Sequence, residues 1–241
     1  MAALAALSLS TVSAESCASS FSGFYAGVQA GMNSTTGTYN ISNFQTRNTT
    51  TATQMSSTKG TIGKKSFLGG IFAGYGMGVG SCAYVGAEVY GNFGNTSTDI
   101  YDTSEVGNAN DKNLKISVKR GYNLGAKVRL GYTVSQQAMV FVGLGLEYAK
   151  TQLMSQNIQT ATAQTGITTT VKKNKGKISF APSIGMDMFL NKNLFLRGEY
   201  TYVMGIKQKV DADQLGIIKT TATTKVNMTQ QRFALGLGYK F

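Results

Sequence analysis

The chain has 241 residues, enough for one domain or two small ones. Only 14% of it is charged, well under the roughly 25% of an ordinary soluble domain, yet no apolar run approaches the ~18 residues of a transmembrane helix. Histidine is absent, which excludes every histidine-dependent hydrolase, and the net charge of +12 is scattered without a Lys/Arg block or aromatic platform suited to nucleic acid.

Residues 1–14 read MAALAALSLSTVSA, short and apolar, ending in Val12-Ser13-Ala14. Small residues there suit signal peptidase, so an export signal cleaved between Ala14 and Glu15 is expected, its usual charged start missing. A frayed amphipathic N-terminus is the alternative. In an exported chain Cys17 and Cys82 fall at the same end of the expected strands and could pair; two separate thiols are the equal alternative.

Period-2 alternation dominates from residue 22 onward and defines eight segments: 23–33, 66–79, 82–94, 114–133, 138–151, 177–190, 193–206 and 229–241. Short turns at 79–81, 134–137 and 191–192 alternate with long polar links at 34–65, 95–113, 152–176 and 207–228, which read as loops. That is an antiparallel up-and-down meander with both chain ends on the short-turn side.

Parity within the segments separates two faces. Val140, Val142, Leu144, Leu146 and Tyr148 oppose Gly143, Gly145 and Glu147; Ile178, Phe180, Ile184, Met186 and Met188 oppose Ser179, Ser183, Gly185 and Asp187. Leu196, Tyr200 and Tyr202 oppose Arg197, Glu199 and Thr201, while Val85, Ala87 and Val89 oppose Glu88. Leu124, Val128 and Leu130 oppose Lys127 and Arg129. A soluble sandwich also alternates, with its apolar face inward. Here the second face mixes glycine with charges of both signs, as a narrow interior requires. The apolar face carries aromatics near strand ends, such as Phe67, Phe93, Tyr122, Tyr148 and Tyr239, in the manner of a membrane interface. In lipid a sheet must close to pair every backbone group. The expected fold is therefore all-β: an eight-stranded antiparallel transmembrane barrel over residues 15–241.

Two stretches carry a family resemblance. Phe21-Ser22-Gly23-Phe24-Tyr25-Ala26-Gly27 is similar to the opening of small outer-membrane barrels, with Phe21 where tryptophan is usual. The ending Arg232 to Phe241, with Phe233, Leu235, Leu237, Tyr239 and Phe241 at alternate positions, resembles their C-terminal assembly signal. The chain thus resembles the OmpA/OmpX type, and within it the surface-antigen barrels of alphaproteobacteria. The resemblance implies the Gram-negative outer membrane, contact with its lipid and lipopolysaccharide, delivery by the barrel-assembly machinery, and a monomer. The peptidoglycan-binding domain of full-length OmpA is not expected.

Function must then come from the lumen or the loops. Glu88, Lys127, Arg129, Glu147, Asp187, Arg197, Glu199 and Arg232 all point inward. Mutual charge pairing is the expectation, because isolated buried charge is costly; a narrow pore and catalysis are the alternatives. No cofactor or metal is implied. The links carry the other candidates: Arg47, Lys59, Lys64 and Lys65 make 34–65 +4, and Lys172, Lys173 and Lys175 make 152–176 +3. Such basic loops suit lipopolysaccharide phosphates, a host-surface glycan or a host protein; a solvated variable loop without a ligand is the alternative. The expected role is a non-enzymatic surface barrel acting in adhesion or envelope contact, with a small diffusion pore as the other reading.

Overall fold

In the computed structural model the described residues are 20–42, 44–47, 52–55, 58–94, 96–102, 113–158, 168–211 and 223–241. They form eleven strands: β1 (Gly23–Ser42), β2 (Phe44–Arg47), β3 (Ala52–Met55), β4 (Thr58–Val79), β5 (Ala83–Phe93), β6 (Thr96–Asp102), β7 (Asn113–Ser135), β8 (Ala138–Ile158), β9 (Thr168–Phe189), β10 (Leu194–Asp211) and β11 (Thr223–Lys240). Neighbours run β5-β4-β1-β11-β10-β9-β8-β7, and β5 pairs with β7 to close the ring. β6 follows β5 on the same side of β7, so the barrel has eight staves. β2 and β3 make a separate hairpin.

The three short turns lie where the sequence places them. Gly80 takes φ +65°, a left-handed conformation that a side chain resists, which lets β4 reverse into β5. Between β9 and β10, the Asn191 side chain accepts from the backbone N–H groups of Asn193 and Leu194 at 3.0 and 2.8 Å. At the same end Phe241 N–H donates to the Phe24 carbonyl at 2.9 Å and Lys240 Nζ to the Ser20 carbonyl at 2.8 Å, so both described ends meet there.

The opposite end corrects the sequence reading. Most of the residues assigned to long loops are strand. β1 runs on to Ser42, β8 to Ile158 and β10 to Asp211, while β4, β9 and β11 begin at Thr58, Thr168 and Thr223. Water on both faces removes the apolar alternation that marked the wall, but Thr-rich backbone still extends the ladder. Arg47, Lys59, Lys64, Lys65, Lys172, Lys173 and Lys175 are accordingly strand residues rather than loop residues.

The outer face is apolar and exposed: Val89, Leu124, Leu146, Ile184 and Leu235 all face away from the barrel. Such a surface belongs in lipid, and among the described residues no helix is long and apolar enough to cross a membrane. The aromatics assigned to the interface, including Phe67, Phe93, Tyr122, Tyr148 and Tyr239, stand on this face. The expected signal segment and Cys17 lie outside the described residues, so the Cys17–Cys82 pairing does too.

Candidate functional site

The lumen is built on a size rule. Most of its charges sit directly across the ladder from a glycine: Glu88 from Gly74, Lys127 from Gly145, Arg129 from Gly143, Glu147 from Gly125, Glu199 from Gly185 and Arg197 from Gly236. A long side chain can then cross the narrow interior without meeting a neighbour's Cβ. All eight predicted charges are buried there.

Seven of the eight inward charges belong to just two electrostatic centres through the pairs below, and Glu199 joins the first through Lys127. In the first, Arg197 holds Asp187 bidentately, Nε to Oδ1 at 2.8 Å and Nη2 to Oδ2 at 3.0 Å. The register places the two residues opposite each other, as the hairpin length requires. Arg197 Nη1 also donates to Glu88 Oε2 at 2.7 Å. Arg129 bridges the same two acids, reaching Asp187 at 2.6 Å and Glu88 at 3.3 Å. Tyr25 Oη donates to Glu88 at 2.8 Å. Lys127 lies 3.1 Å from Glu88 Oε1 and bonds Glu199 directly. Three acids thus face three cations, and the group is electrically balanced.

The second centre lies farther along the lumen. Arg232 holds Glu147 bidentately at 2.9 and 3.2 Å, with Tyr90 Oη donating to the same carboxylate at 3.3 Å. Bidentate guanidinium–carboxylate geometry is both strong and directional. In both centres every carboxylate is held by at least one cation.

Sequence reading missed the aromatic filling. Phe21, Tyr84, Met139 and Phe141 form one buried cluster; Tyr25, Phe72, Tyr90 and Phe195 form another, with Phe189 packed against both. The Arg129 guanidinium sits 3.8 Å above the Phe141 ring and that of Arg197 4.2 Å above Phe72, which stabilises a desolvated cation through the ring quadrupole. The available signal was inward glycine: a Cβ at Gly125 would overlap the Tyr90 ring, and one at Gly238 the Phe195 ring.

Above these layers, on the side away from the short turns, lies an amide layer of Asn33, Asn92, Asn123 and Gln230 around a cavity of about 20 Å³. Gln29 Nε2 donates to Asn92 Oδ1 at 2.6 Å from below. The basic residues of the rim fall into two groups. Lys64 and Lys65 are exposed on β4, with Lys59 farther out on the same strand and Arg47 on the β2–β3 hairpin. Lys172, Lys173 and Lys175 lie on β9 opposite Met154, Leu153 and Thr151 of β8. β4 and β9 stand on opposite walls of the ring, so the lysines of these two strands belong to opposite sides of the barrel.

The sequence profile of the outer membrane protein beta-barrel domain family matches residues 2–241. The 31 kDa outer-membrane immunogenic proteins of Brucella melitensis biotype 1 and Brucella suis biovar 1 are each 28% identical over 180 residues, covering 73% of this chain and 66% of theirs. The crystal structure of OprG from Pseudomonas aeruginosa superposes with a TM-score of 0.54 at 16% identity, covering 94% of this chain and 99% of that one. A closed ring with a lipid-compatible wall, a charge-paired lumen and a profile match along nearly the whole length together establish that this chain belongs to the outer membrane protein beta-barrel domain family and resides in the Gram-negative outer membrane.

Proposed function

We propose that the protein is a non-enzymatic surface barrel that engages anionic polymers at the cell exterior through its cationic rim. The observation that carries this is the placement of lysines on strand extensions, with Lys64 and Lys65 exposed on one wall and Lys172, Lys173 and Lys175 on the opposite wall. Charges on a rigid ladder lose less freedom on binding than charges on a loop. An extended polyanion such as lipopolysaccharide core or a sulfated host glycan can lie across the mouth and meet both groups. The Brucella relatives are named as immunogenic, which fits a face displayed to a host. A diffusion pore needs a continuous lumen, and here stacked aromatics and paired charges occupy it.

Replacing Lys172, Lys173 and Lys175 with Gln is expected to weaken retention on heparin several-fold, with the parent's binding falling as salt rises, since exposed charges are screened over about 8 Å at physiological ionic strength. Heat-modifiable migration on unboiled gels should be unchanged. Equal retention of mutant and parent removes β9 from the proposal.

Delivery to the membrane rests on β11. Phe233, Leu235, Leu237, Tyr239 and Phe241 all face outward, Phe241 at 74% exposure, so the alternate apolar residues are open to a docking partner. Deleting Phe241 should reduce the barrel recovered from outer membranes several-fold while leaving refolding into detergent intact. Undiminished recovery would dismiss the assembly role of that residue.

A further inference from the structure

The top of the lumen holds four amide side chains that the charge network does not use, Asn33, Asn92, Asn123 and Gln230, and beside them Arg232 of the second centre. Asn33, Asn92, Asn123, Gln230 and Arg232 are each more than nine-tenths buried. Each has one polar atom without a partner in the protein: Asn33 Oδ1, Asn92 Nδ2, Asn123 Oδ1, Gln230 Oε1 and Arg232 Nε. All five residues line the same cavity. Burying an unpaired polar group costs free energy, so five of them on residues around one cavity point to a site built for something that pairs them.

The mix of atoms selects the chemistry. Three are carbonyl acceptors, which repel a phosphate, sulfate or carboxylate. Two are donors, one on a guanidinium, and these repel a metal ion or an ammonium. Asn92 is held in the stated orientation because its oxygen already accepts from Gln29. Arg232 brings no net charge, since Glu147 neutralises it bidentately. A neutral hydroxyl both donates and accepts, so it can pair with either kind of atom, and several of them are needed to serve three acceptors and two donors. The cavity, about 20 Å³, has room for roughly one water, which bonds at most about four partners. A group of linked hydroxyls reaching down from the mouth can satisfy more of them.

The mouth is open on one side. Gly121 lines the cavity and is exposed, and a Cβ built on it would meet nothing within 4 Å. Gly94, half-buried, lines it as well. Below, the Arg232–Glu147–Tyr90 centre forms a floor. The site is therefore a cup closed toward the short turns, with exposed Gly121 at its lip.

We infer that this cup binds a neutral sugar residue, one hydroxyl or hydroxymethyl seated among the amides and its neighbouring hydroxyls reaching the remaining partners from the mouth. It is separate from the rim lysines and uses none of them. A glycan could be held by both, but each contact fails independently.

The test uses the full chain in lipid nanodiscs, free of sugar-headed detergent, titrated with neutral methyl glycosides of glucose, galactose and mannose. Side-chain amide resonances of Asn33, Asn92, Asn123 and Gln230 are followed by nitrogen-15 NMR. At least one glycoside should shift them saturably. Gly121→Phe, which adds bulk at the lip where a Cβ meets nothing within 4 Å, should abolish the shifts, and Asn123→Leu should weaken binding at least tenfold. Both variants should keep heat-modifiable migration, and a variant that loses it is replaced by Gly121→Leu. Absence of shifts with every glycoside would mean the cup holds water only and would overturn the inference. So would shifts that survive Gly121→Phe, or tighter binding of a sulfated glycoside than of its neutral parent. Heparin retention of the β9 lysine variant is scored separately, so the two readings can fail apart.

Discussion

Asp187→Ala is expected to destabilise the barrel by about 3–5 kcal/mol, the range for removing one partner of a buried ion pair. Asp187 accepts from both Arg197 and Arg129, and its loss leaves three cations facing two acids in a desolvated lumen. Arg197 would keep Glu88 at 2.7 Å, but Arg129 would then share that carboxylate with it and with Lys127. Adding Arg197→Ala restores the charge balance, so the double variant should recover part of the loss. Urea unfolding in lipid vesicles measures both. Strict additivity of the two single costs would show that the pair is not coupled.

Phe195→Ala should cost a comparable amount, about 3–5 kcal/mol for a large buried aromatic. Its ring packs against Tyr25 at 6.0 Å, Phe189 at 5.7 Å and Phe72 at 6.3 Å. The resulting cavity lies under the Arg197 guanidinium, 5.5 Å from the same ring. The parent should show no stable ohmic steps in a planar bilayer, and Phe195→Ala combined with Phe141→Ala should show brief ones. Steady conductance by the parent would revive the diffusion pore.

Which contacts the sequence could reveal depends on how many residues separate them. Asp187 and Arg197 are ten residues apart across one tight turn, so hairpin length alone sets them opposite. Glu88 reaches Arg197 over 109 residues, Arg232 reaches Glu147 over 85 and Lys127 reaches Glu199 over 72. Those pairs exist only once the ring has closed with a particular stagger between staves, and alternation says nothing about stagger. The same limit hid the aromatic clusters, since a Phe72 or Phe195 on the polar parity looks like an irregularity until the glycine facing it is known.

The rim was misjudged for a different reason. Where both faces meet water, nothing selects apolar residues on either, so strand and loop have the same composition. Lys172 and Lys64 could be read as loop charges from sequence, and only the ladder shows that they belong to opposite walls.

What the sequence determined by itself was everything that lipid imposes locally: eight segments of the length needed to span, an apolar face on each, charge and glycine on the other, and turns at Gly80 and Asn191. Lipid acts on each strand separately, so its demands appear in each strand's own residues. Tertiary structure alone decided which charges meet, how the lumen fills, and where Asn33, Asn92, Asn123 and Gln230 gather. Those outcomes depend on the closure and shear of the ring, which are properties of all eight staves together and of no one segment.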